Sequence, residues 1–256
     1  MKTKELSTSI STLDEHGVTI RGKDLVSELI GEVTFTQMIY LQILGHLPTP
    51  GQVRVLDSLL VTLLEHGVGP ALGARLVYMG APDSIQGAIA TGILAMGSQF
   101  GGVMEVVGRD LEAIIAAPDG DAEAARIVAG YRAAKKSVPG FGHPQHRPED
   151  PRTIKLLKVA EEEGLAGRYV AALRTLAKAV DASLGKHITI NATAGIAALL
   201  GELGVPARIM RGFACISRAP GIVGHIYEEI QNPIGLRMVM MAQDAVPYVG
   251  EIPPKK

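Results

Sequence analysis

Apolar residues recur at helical spacing along most of the chain, and this periodicity constrains the fold more than any other feature. From Thr49 and Pro50, a pair typical of a helix start, leucine and valine follow every three or four positions as far as His66 and Gly67. The same pattern predicts further helices at 83–97, 122–134, 152–163, 169–180, 194–203 and 221–230. We therefore expect a predominantly helical protein.

Composition argues against a β-sandwich or barrel. Those folds draw on aromatic and β-branched side chains, whereas only 4% of this chain is aromatic and it has no tryptophan. One predicted helix instead carries small residues that allow close contact with another helix: Gly87, Ala88, Gly92 and Ala95. Two segments are predicted as short strands, 18–22 with its turn and 187–190. The predicted fold class is all-α.

Charge, hydropathy and cysteine content set expectations about partners. The 25 lysines and arginines balance 26 acidic residues, which argues against a globally basic nucleic-acid binder. No apolar run approaches the ~20 residues that cross a bilayer, and residues 1–5 do not begin a secretory signal. The single cysteine, Cys215, fits a reducing compartment. We expect a cytoplasmic protein without nucleic-acid or membrane partners, and the mean hydropathy of +0.22 predicts a homo-oligomer.

Residues 138–152 have the composition of a ligand-binding loop. They contain four prolines and two glycines among fifteen residues, which a core helix or strand would not hold, and glycine lets a backbone approach a ligand closely. Asp150 and Pro151 then start a helix and place Arg152 in its first turn. A cation is unfavourable at that end of the helix dipole unless an anion binds there. An ordinary solvated loop is the alternative interpretation.

This loop resembles the catalytic loop of the citrate synthase superfamily, through Gly-Phe-Gly-His at 140–143 and Asp-Pro-Arg at 150–152. Other segments resemble that family's motifs in the same order along the chain: TIRG at 19–22, GHLPT at 45–49, RAPGIVGH at 218–225 and YVG at 248–250. The closest likeness is to citryl-CoA lyase and the citryl-CoA-cleaving module of ATP-citrate lyase. It depends on His66-Gly67, on residues 97–102, and on Phe100 at a position where citrate synthases have a histidine.

The resemblance implies a fold, a domain division and an assembly. A large helical domain would comprise 1–102 plus 194–256, and a smaller helical domain would be inserted at 103–193. The active site would lie in the cleft between these domains. The homo-oligomer would be built from dimers.

The resemblance also implies site residues. His143, His66 and Thr193 would be catalytic, and His66, Arg152 and Arg218 would bind substrate carboxylates. Coenzyme A would lie on the loop formed by Pro139, Gly140, Phe141 and Gly142, with Arg147 and Lys186 as the nearest basic candidates. The partners would be acyl-CoA and carboxylate substrates, with the CoA thioester as substrate and no permanently bound cofactor. The sequence has no HxxxH pair on a predicted helix and no Cys/His cluster, so we expect no metal site.

These residue types suit the cleavage of a citryl-type thioester by a retro-aldol step. An alcohol proton must leave, and negative charge then develops on the departing thioester enolate. A histidine with a near-neutral pKa suits the first task, and fixed hydrogen-bond donors suit the second. The planar guanidinium of arginine matches a carboxylate in two-point contacts.

One departure from the family pattern leaves the reaction open. The family has an Asn-Val-Asp motif whose aspartate moves a proton on the acetyl methyl group, whereas the matching residues here are Asn191, Ala192 and Thr193. A threonine hydroxyl cannot act as a carboxylate base at neutral pH. Three functions therefore stay open: a citryl-CoA-lyase-like enzyme acting in either direction, an acyl-CoA thioester hydrolase, and a non-catalytic protein that binds CoA or carboxylates.

Overall fold

The computed structural model describes residues 6–98 and 100–252. The expectation about a secretory signal, which concerns residues 1–5, and one position of the motif at 97–102 lie outside the described residues. Eleven α-helices are described: α1 Phe35–Leu44, α2 Pro50–Leu64, α3 Gly69–Gly80, α4 Ile85–Leu94, α5 Val103–Ala116, α6 Gly120–Ala133, α7 Pro151–Glu162, α8 Arg168–Leu184, α9 Ala192–Glu202, α10 Met210–Gln231 and α11 Gly235–Ala245. The all-α prediction is confirmed.

A small antiparallel sheet precedes the helices. Its strands, in the order β1-β2-β3, are Ser11–Asp14, Gly17–Ile20 and Lys23–Asp24. The strand and turn predicted at 18–22 are confirmed, because β2 is followed by Arg21 and Gly22 with φ of 52° and 79°. Two short helical segments complete the described secondary structure: the π-helical Leu25–Leu29 and the 3-10 turn Ala207–Ile209.

Local hydrogen bonds explain where several helices begin. The Thr49 hydroxyl accepts from the Gln52 amide, and the Gln52 side chain accepts from the Thr49 amide at 2.8 Å, as in a capping box. The same reciprocal pair joins Thr34 and Gln37 at the start of α1. The predicted start at Thr49 is thus confirmed, and it follows from residues within one turn of each other.

Some sequence predictions fail where distant residues decide the structure. The pattern at 187–190 does not form a strand; it makes a single bridge, between Ile190 and Phe141. The helix predicted at 221–230 is part of the longer α10, which runs through Pro220. Four helices were not predicted: α1, α3, α5 and α11.

The helices form two compact units. One comprises the residues up to Thr62 together with Val103–Arg211, and the other comprises Leu63–Gly102 together with the residues from Gly212 onward. The segment 103–193, predicted as the small domain, falls wholly within the first unit. Compact units need not coincide with a family's domains, so the predicted domain division stays a prediction.

The first unit has a core formed by α5, α6, α8 and α9. Leu111, Leu173 and Leu199 are fully buried in it. A side chain at Gly201 would lie 2.3 Å from the Tyr169 ring, so α8 and α9 approach each other through a glycine. The other end of this helix, the start of α9, lies next to the loop at 138–152.

The second unit packs α3 against α4 and α11. Ala88 and Gly92 on α4 are buried, and a Cβ at Gly92 would lie 2.7 Å from the Ile222 side chain. Small residues on this helix therefore do permit close packing, as the sequence predicts. Ala95, predicted on the same helix, is instead the C-cap that follows Leu94, and it is exposed.

No single helix within residues 6–98 and 100–252 is long and apolar enough to span a bilayer. The consecutive helices α2 and α3 meet the criteria of length and composition only when they are taken together.

Candidate active site

The glycine-rich loop is fastened to the start of α9 by backbone hydrogen bonds. The Gly142 amide donates to the Thr189 carbonyl at 2.7 Å, and the Asn191 amide donates to the Gly140 carbonyl at 3.0 Å. The Asn191 side chain also donates to the Gly142 carbonyl at 3.1 Å. Both loop glycines have positive φ, and a Cβ at Gly140 would lie 2.7 Å from that of Ala194. The loop residues Pro139, Gly140, Phe141 and Gly142 are thus held in one conformation.

His143 is oriented by its own loop. Its Nδ1 accepts from the backbone amides of Gln145 and His146, at 3.1 and 3.0 Å, and its ring stacks on that of His146 with centroids 4.4 Å apart. Since Nδ1 accepts these bonds, the neutral ring carries its proton on Nε2. This nitrogen lies 3.3 Å from Nη2 of Arg152. Two donors therefore converge where one ligand oxygen could accept from both.

The protein itself supplies one anion next to Arg152, namely the carboxylate of Asp150. Asp150 is the N-cap of α7, as predicted, and it is fully buried. Its carboxylate accepts from Arg152 Nε at 3.0 Å and Nη2 at 2.8 Å, and from the Ala192 amide at 3.0 Å. Burial alone would raise the pKa of Asp150, but the hydrogen bonds from Arg152 and Ala192 outweigh it and lower that pKa. Asp150 joins α7 to α9, a role that the sequence analysis missed.

Thr193 lies in the first turn of α9 and is partly buried. Its backbone amide donates to the Asn191 side chain at 3.1 Å, which caps the helix. The nearby carboxylate of Asp150 bonds to the preceding amide but is enclosed and paired with Arg152. Asp150 is therefore an ion-pair partner of Arg152 and an acceptor for the start of α9.

A cavity of about 450 Å³ adjoins the loop. It is lined by Gly142, His143, Arg147, Lys186 and His187. The two predicted basic candidates for CoA binding, Arg147 and Lys186, thus share one cavity with His143. His187 pairs with Asp181 at 2.9 Å and with Glu149 at 3.1 Å. The hydrogen bond that the His187 ring donates to Asp181 raises the pKa of His187 above its ordinary value; burial opposes this shift, and the charges of Asp181 and Glu149 add to it.

A second cavity of about 460 Å³ shares Gly142 with the first. Its lining includes three cationic residues that the sequence analysis missed: Arg132, Lys135 and Lys136. The available signal was a basic run immediately before the loop. In sequence such a run resembles a solvated surface, and only the fold shows that it lines part of a cavity.

The remaining predicted residues lie in the second unit. His66 follows the end of α2 and is exposed, so it does not end the helix as predicted. Arg218 lies within α10 and is 5% exposed. Its Nη1 pairs with Glu65 at 3.1 Å; burial lowers the pKa of Arg218, and the Glu65 charge opposes that shift. The grouping of His66 and Arg218 with His143 in one cleft stays a prediction.

Groups of three or more histidine, cysteine or acidic side chains that could hold a metal ion do not occur in the described part of the chain. The donors around His143 are instead nitrogen-bound protons of histidine and arginine. Such donors suit an anionic or carbonyl ligand.

Comparisons with known proteins identify similar sequences and structures. The family model "Citrate synthase, C-terminal domain" matches residues 47–238. Among curated proteins, the putative citrate synthase 2 of Mycobacterium tuberculosis is 28% identical over 211 residues, covering 80% of this chain and 54% of that protein. The citrate synthase-like protein oryE of Aspergillus oryzae is 25% identical over 194 residues, covering 73% and 42%. The chain spans about half the length of these curated relatives.

Solved structures include one of comparable length. Citryl-CoA lyase from Hydrogenobacter thermophilus superposes with a TM-score of 0.88 at 31% identity, covering 99% of this chain and 98% of that one. ATP citrate lyase from Methanothrix soehngenii, in complex with citrate and coenzyme A, superposes with a TM-score of 0.77 at 17% identity, covering 98% and 43%. The second likeness shows the fold alone.

Proposed function

The chain belongs to the citrate synthase family, and from that premise we propose that it is a citryl-CoA-lyase-like enzyme. It would cleave a citryl-CoA-like 3-hydroxy-3-carboxyacyl-CoA to a keto acid and an acyl-CoA, or catalyse the reverse condensation. The near-full-length similarity to a citryl-CoA lyase supports this choice within the family. The observation that carries the proposal is the convergence of His143 Nε2 and Arg152 Nη2, 3.3 Å apart.

These two donors fit the oxygen that changes during the reaction. In cleavage, the bond between the carbinol carbon and the thioester's α-carbon breaks, and its electron pair passes to the thioester as an enolate. The hydroxyl loses its proton and becomes the carbonyl of the keto acid. In the reverse direction, the Nε2 proton of His143 stabilises the charge that develops on this oxygen. In cleavage, the hydroxyl proton would pass to water, and the same N–H would stabilise the oxygen until its carbonyl forms. Arg152 would hold the adjacent carboxylate.

Thr193 would orient the enolate without acting as its base. A hydroxyl at the start of α9 can donate a hydrogen bond to an enolate oxygen, and the helix N-terminus favours negative charge there. The proton that the enolate carbon takes up would come from water or from another carboxylic acid. His66 and Arg218 would bind further carboxylates of the substrate.

The two cavities around Gly142 would receive coenzyme A. Gly142 lines both cavities, and the lining of each includes cationic side chains. Arg147 and Lys186 on one side, and Lys135 and Lys136 on the other, would pair with its phosphate groups. The CoA thioester is thus a substrate, and we propose no permanently bound cofactor.

We further propose that the protein acts in the cytoplasm as a homo-oligomer built from dimers. Exposed apolar side chains on α11, including Leu236, Met240 and Met241, support an interface between subunits. A single cysteine is consistent with a reducing compartment.

A product analysis with a panel of branched acyl-CoAs tests the lyase against its two alternatives. The lyase releases a keto acid together with a shorter acyl-CoA, and His143→Ala abolishes this release. Free CoA with an intact carbon skeleton would instead identify a thioester hydrolase. Binding of the esters with no product of either kind would identify a non-catalytic binding protein.

A further inference from the structure

One carboxylate, Glu65, connects three side chains or amides in the second unit. Its Oε1 accepts from the His66 amide at 2.7 Å and from Arg218 Nη1 at 3.1 Å. Its Oε2 lies 3.0 Å from His225 Nε2. Arg218 and His225 are seven positions apart on α10, which places them two turns apart on one helix face.

The backbone next to Glu65 is seated directly on this helix face. A Cβ at Gly221 would lie 2.3 Å from the Leu64 carbonyl oxygen, so only glycine permits the approach. Gly221 lies between Arg218 and His225 in the sequence of α10. The position of Glu65 over both side chains is therefore built into the packing of the chain.

The contact between His225 and Arg75 fixes which ring nitrogen of His225 carries the proton. Arg75, whose side chain is 1% exposed, donates from Nη2 to His225 Nδ1 at 3.0 Å. An arginine has no acceptor, so Nδ1 of His225 must accept, and the neutral ring carries its proton on Nε2. That proton is donated to Glu65. Arg75 is itself held by Glu229 at 2.9 Å and by Glu228.

Glu65 therefore accepts all three hydrogen bonds and connects the groups that donate them. It joins the two residues proposed to bind substrate carboxylates, His66 through its backbone and Arg218 through its guanidinium. Arg218 and His225 are largely buried, with side chains 6% and 16% exposed, whereas the Glu65 side chain is 40% exposed. The carboxylate is thus the solvent-facing member of a buried network.

We propose that Glu65, backed by His225 and Arg75, is a positioning residue that sets the separation of His66 and Arg218 for a ligand with more than one carboxylate. This inference rests on the proposed function. It adds that specificity for a polycarboxylate is set by a residue that accepts from both binding groups and does not itself bind the ligand.

Citrate binding measured by titration calorimetry tests the inference with Glu65→Gln. The amide keeps the size of the side chain but turns one acceptor into a donor facing Arg218 or His225. We expect citrate affinity to fall at least tenfold, with citryl-CoA KM rising in parallel and kcat changing less than threefold. Glu228→Gln is the matched control, since Arg75 keeps Glu229, and it should leave both constants within twofold.

A double-mutant cycle shows whether Glu65 acts through Arg218. In an Arg218→Ala background, we expect Glu65→Gln to weaken citrate binding by less than an additional factor of two. Full additivity, an unchanged affinity in Glu65→Gln alone, or an equal loss in Glu228→Gln would overturn the inference.

Nitrogen-15 NMR of the histidine rings supplies a readout on the unaltered protein, should Glu65→Gln fail to fold. The expected spectrum has His225 neutral with its proton on Nε2; a proton on Nδ1 would overturn the inference. If the unaltered protein binds citrate but does not cleave citryl-CoA, the proposed lyase fails and the positioning role stands. If it binds neither citrate nor oxaloacetate, the positioning role fails.

Discussion

The two ring nitrogens of His143 have different contacts, and substitutions can separate their effects. Nδ1 holds the loop by accepting two backbone amides, and Nε2 faces Arg152. In His143→Asn the side-chain oxygen replaces Nδ1 as acceptor, while nothing replaces Nε2. We expect kcat for citryl-CoA cleavage to fall about 10²–10⁴-fold, the usual contribution of such a group, with little change in thermal stability.

His146→Asn is the matched control for that prediction. It removes the ring stacked on His143 but keeps the backbone amide that Nδ1 accepts. Its kcat should stay within tenfold of the unaltered protein. A His143→Asn variant that retains full activity would remove His143 from the reaction.

Thr193→Asp tests whether this position corresponds to the family's missing base. An aspartate in the first turn of α9 is favoured by the helix dipole, so the variant should fold. We expect it to exchange the methyl protons of acetyl-CoA with deuterium measurably faster than the unaltered protein. Thr193→Asn, of nearly the same shape but without a carboxylate, should not. Equal exchange in both variants would contradict the proposed alignment of Thr193.

His187 makes the loop region sensitive to pH. Its pKa is raised above 6.5 by Asp181 and Glu149, so the folded state favours the charged ring. The resulting stability is fully present below the unfolded pKa and is lost as pH rises through the folded pKa. Asp181→Asn should shift the His187 pKa back towards 6.5 in an NMR titration. A His187 pKa at or below 6.5 in the unaltered protein would contradict the ion pairs.

The two loop glycines differ in what surrounds them, which predicts different costs for the same substitution. Gly142 has φ of +83° with open space at its Cβ position, so Gly142→Ala should cost about 1–2 kcal/mol in backbone strain. Gly140 has φ of +84° and would also collide with Ala194 and Val107, so Gly140→Ala should cost about 2–5 kcal/mol. Urea unfolding measures both; equal losses would contradict the loop's seating on α9.

Elements with local determinants were predictable, and elements with distant ones were not. The start of α7 followed from adjacent Asp150 and Pro151, and the start of α2 from Thr49. The segment 187–190 has strand-forming residues, but its partner is a glycine loop that offers a single bridge. The helix predicted at 221–230 in fact begins earlier, because α10 starts at Met210 and runs through Pro220.

The candidate site shows the same division. The Gly-Phe-Gly-His loop and the Asp-Pro-Arg helix start identified His143 and Arg152, because each motif is contiguous. Lys135 and Lys136 were missed because only the folded chain shows that they line the same cavity as the glycine loop. Glu65 was missed because its three partners come from two separate segments.

The molecule as a whole divides the proposed chemistry between two compact units. The glycine loop, His143 and Thr193 belong to the first unit, and His66 and Arg218, the proposed carboxylate binders, belong to the second. The fold is confirmed as citrate-synthase-like by an almost full-length superposition.

Incubation of the pure protein with citryl-CoA, followed by mass spectrometry of acetyl-CoA and oxaloacetate, tests the proposed lyase most directly. The account predicts equal amounts of both products, formed well above the spontaneous breakdown of the thioester, and loss of that rate in His143→Ala. Breakdown at the spontaneous rate, or an unchanged rate in His143→Ala, would contradict it.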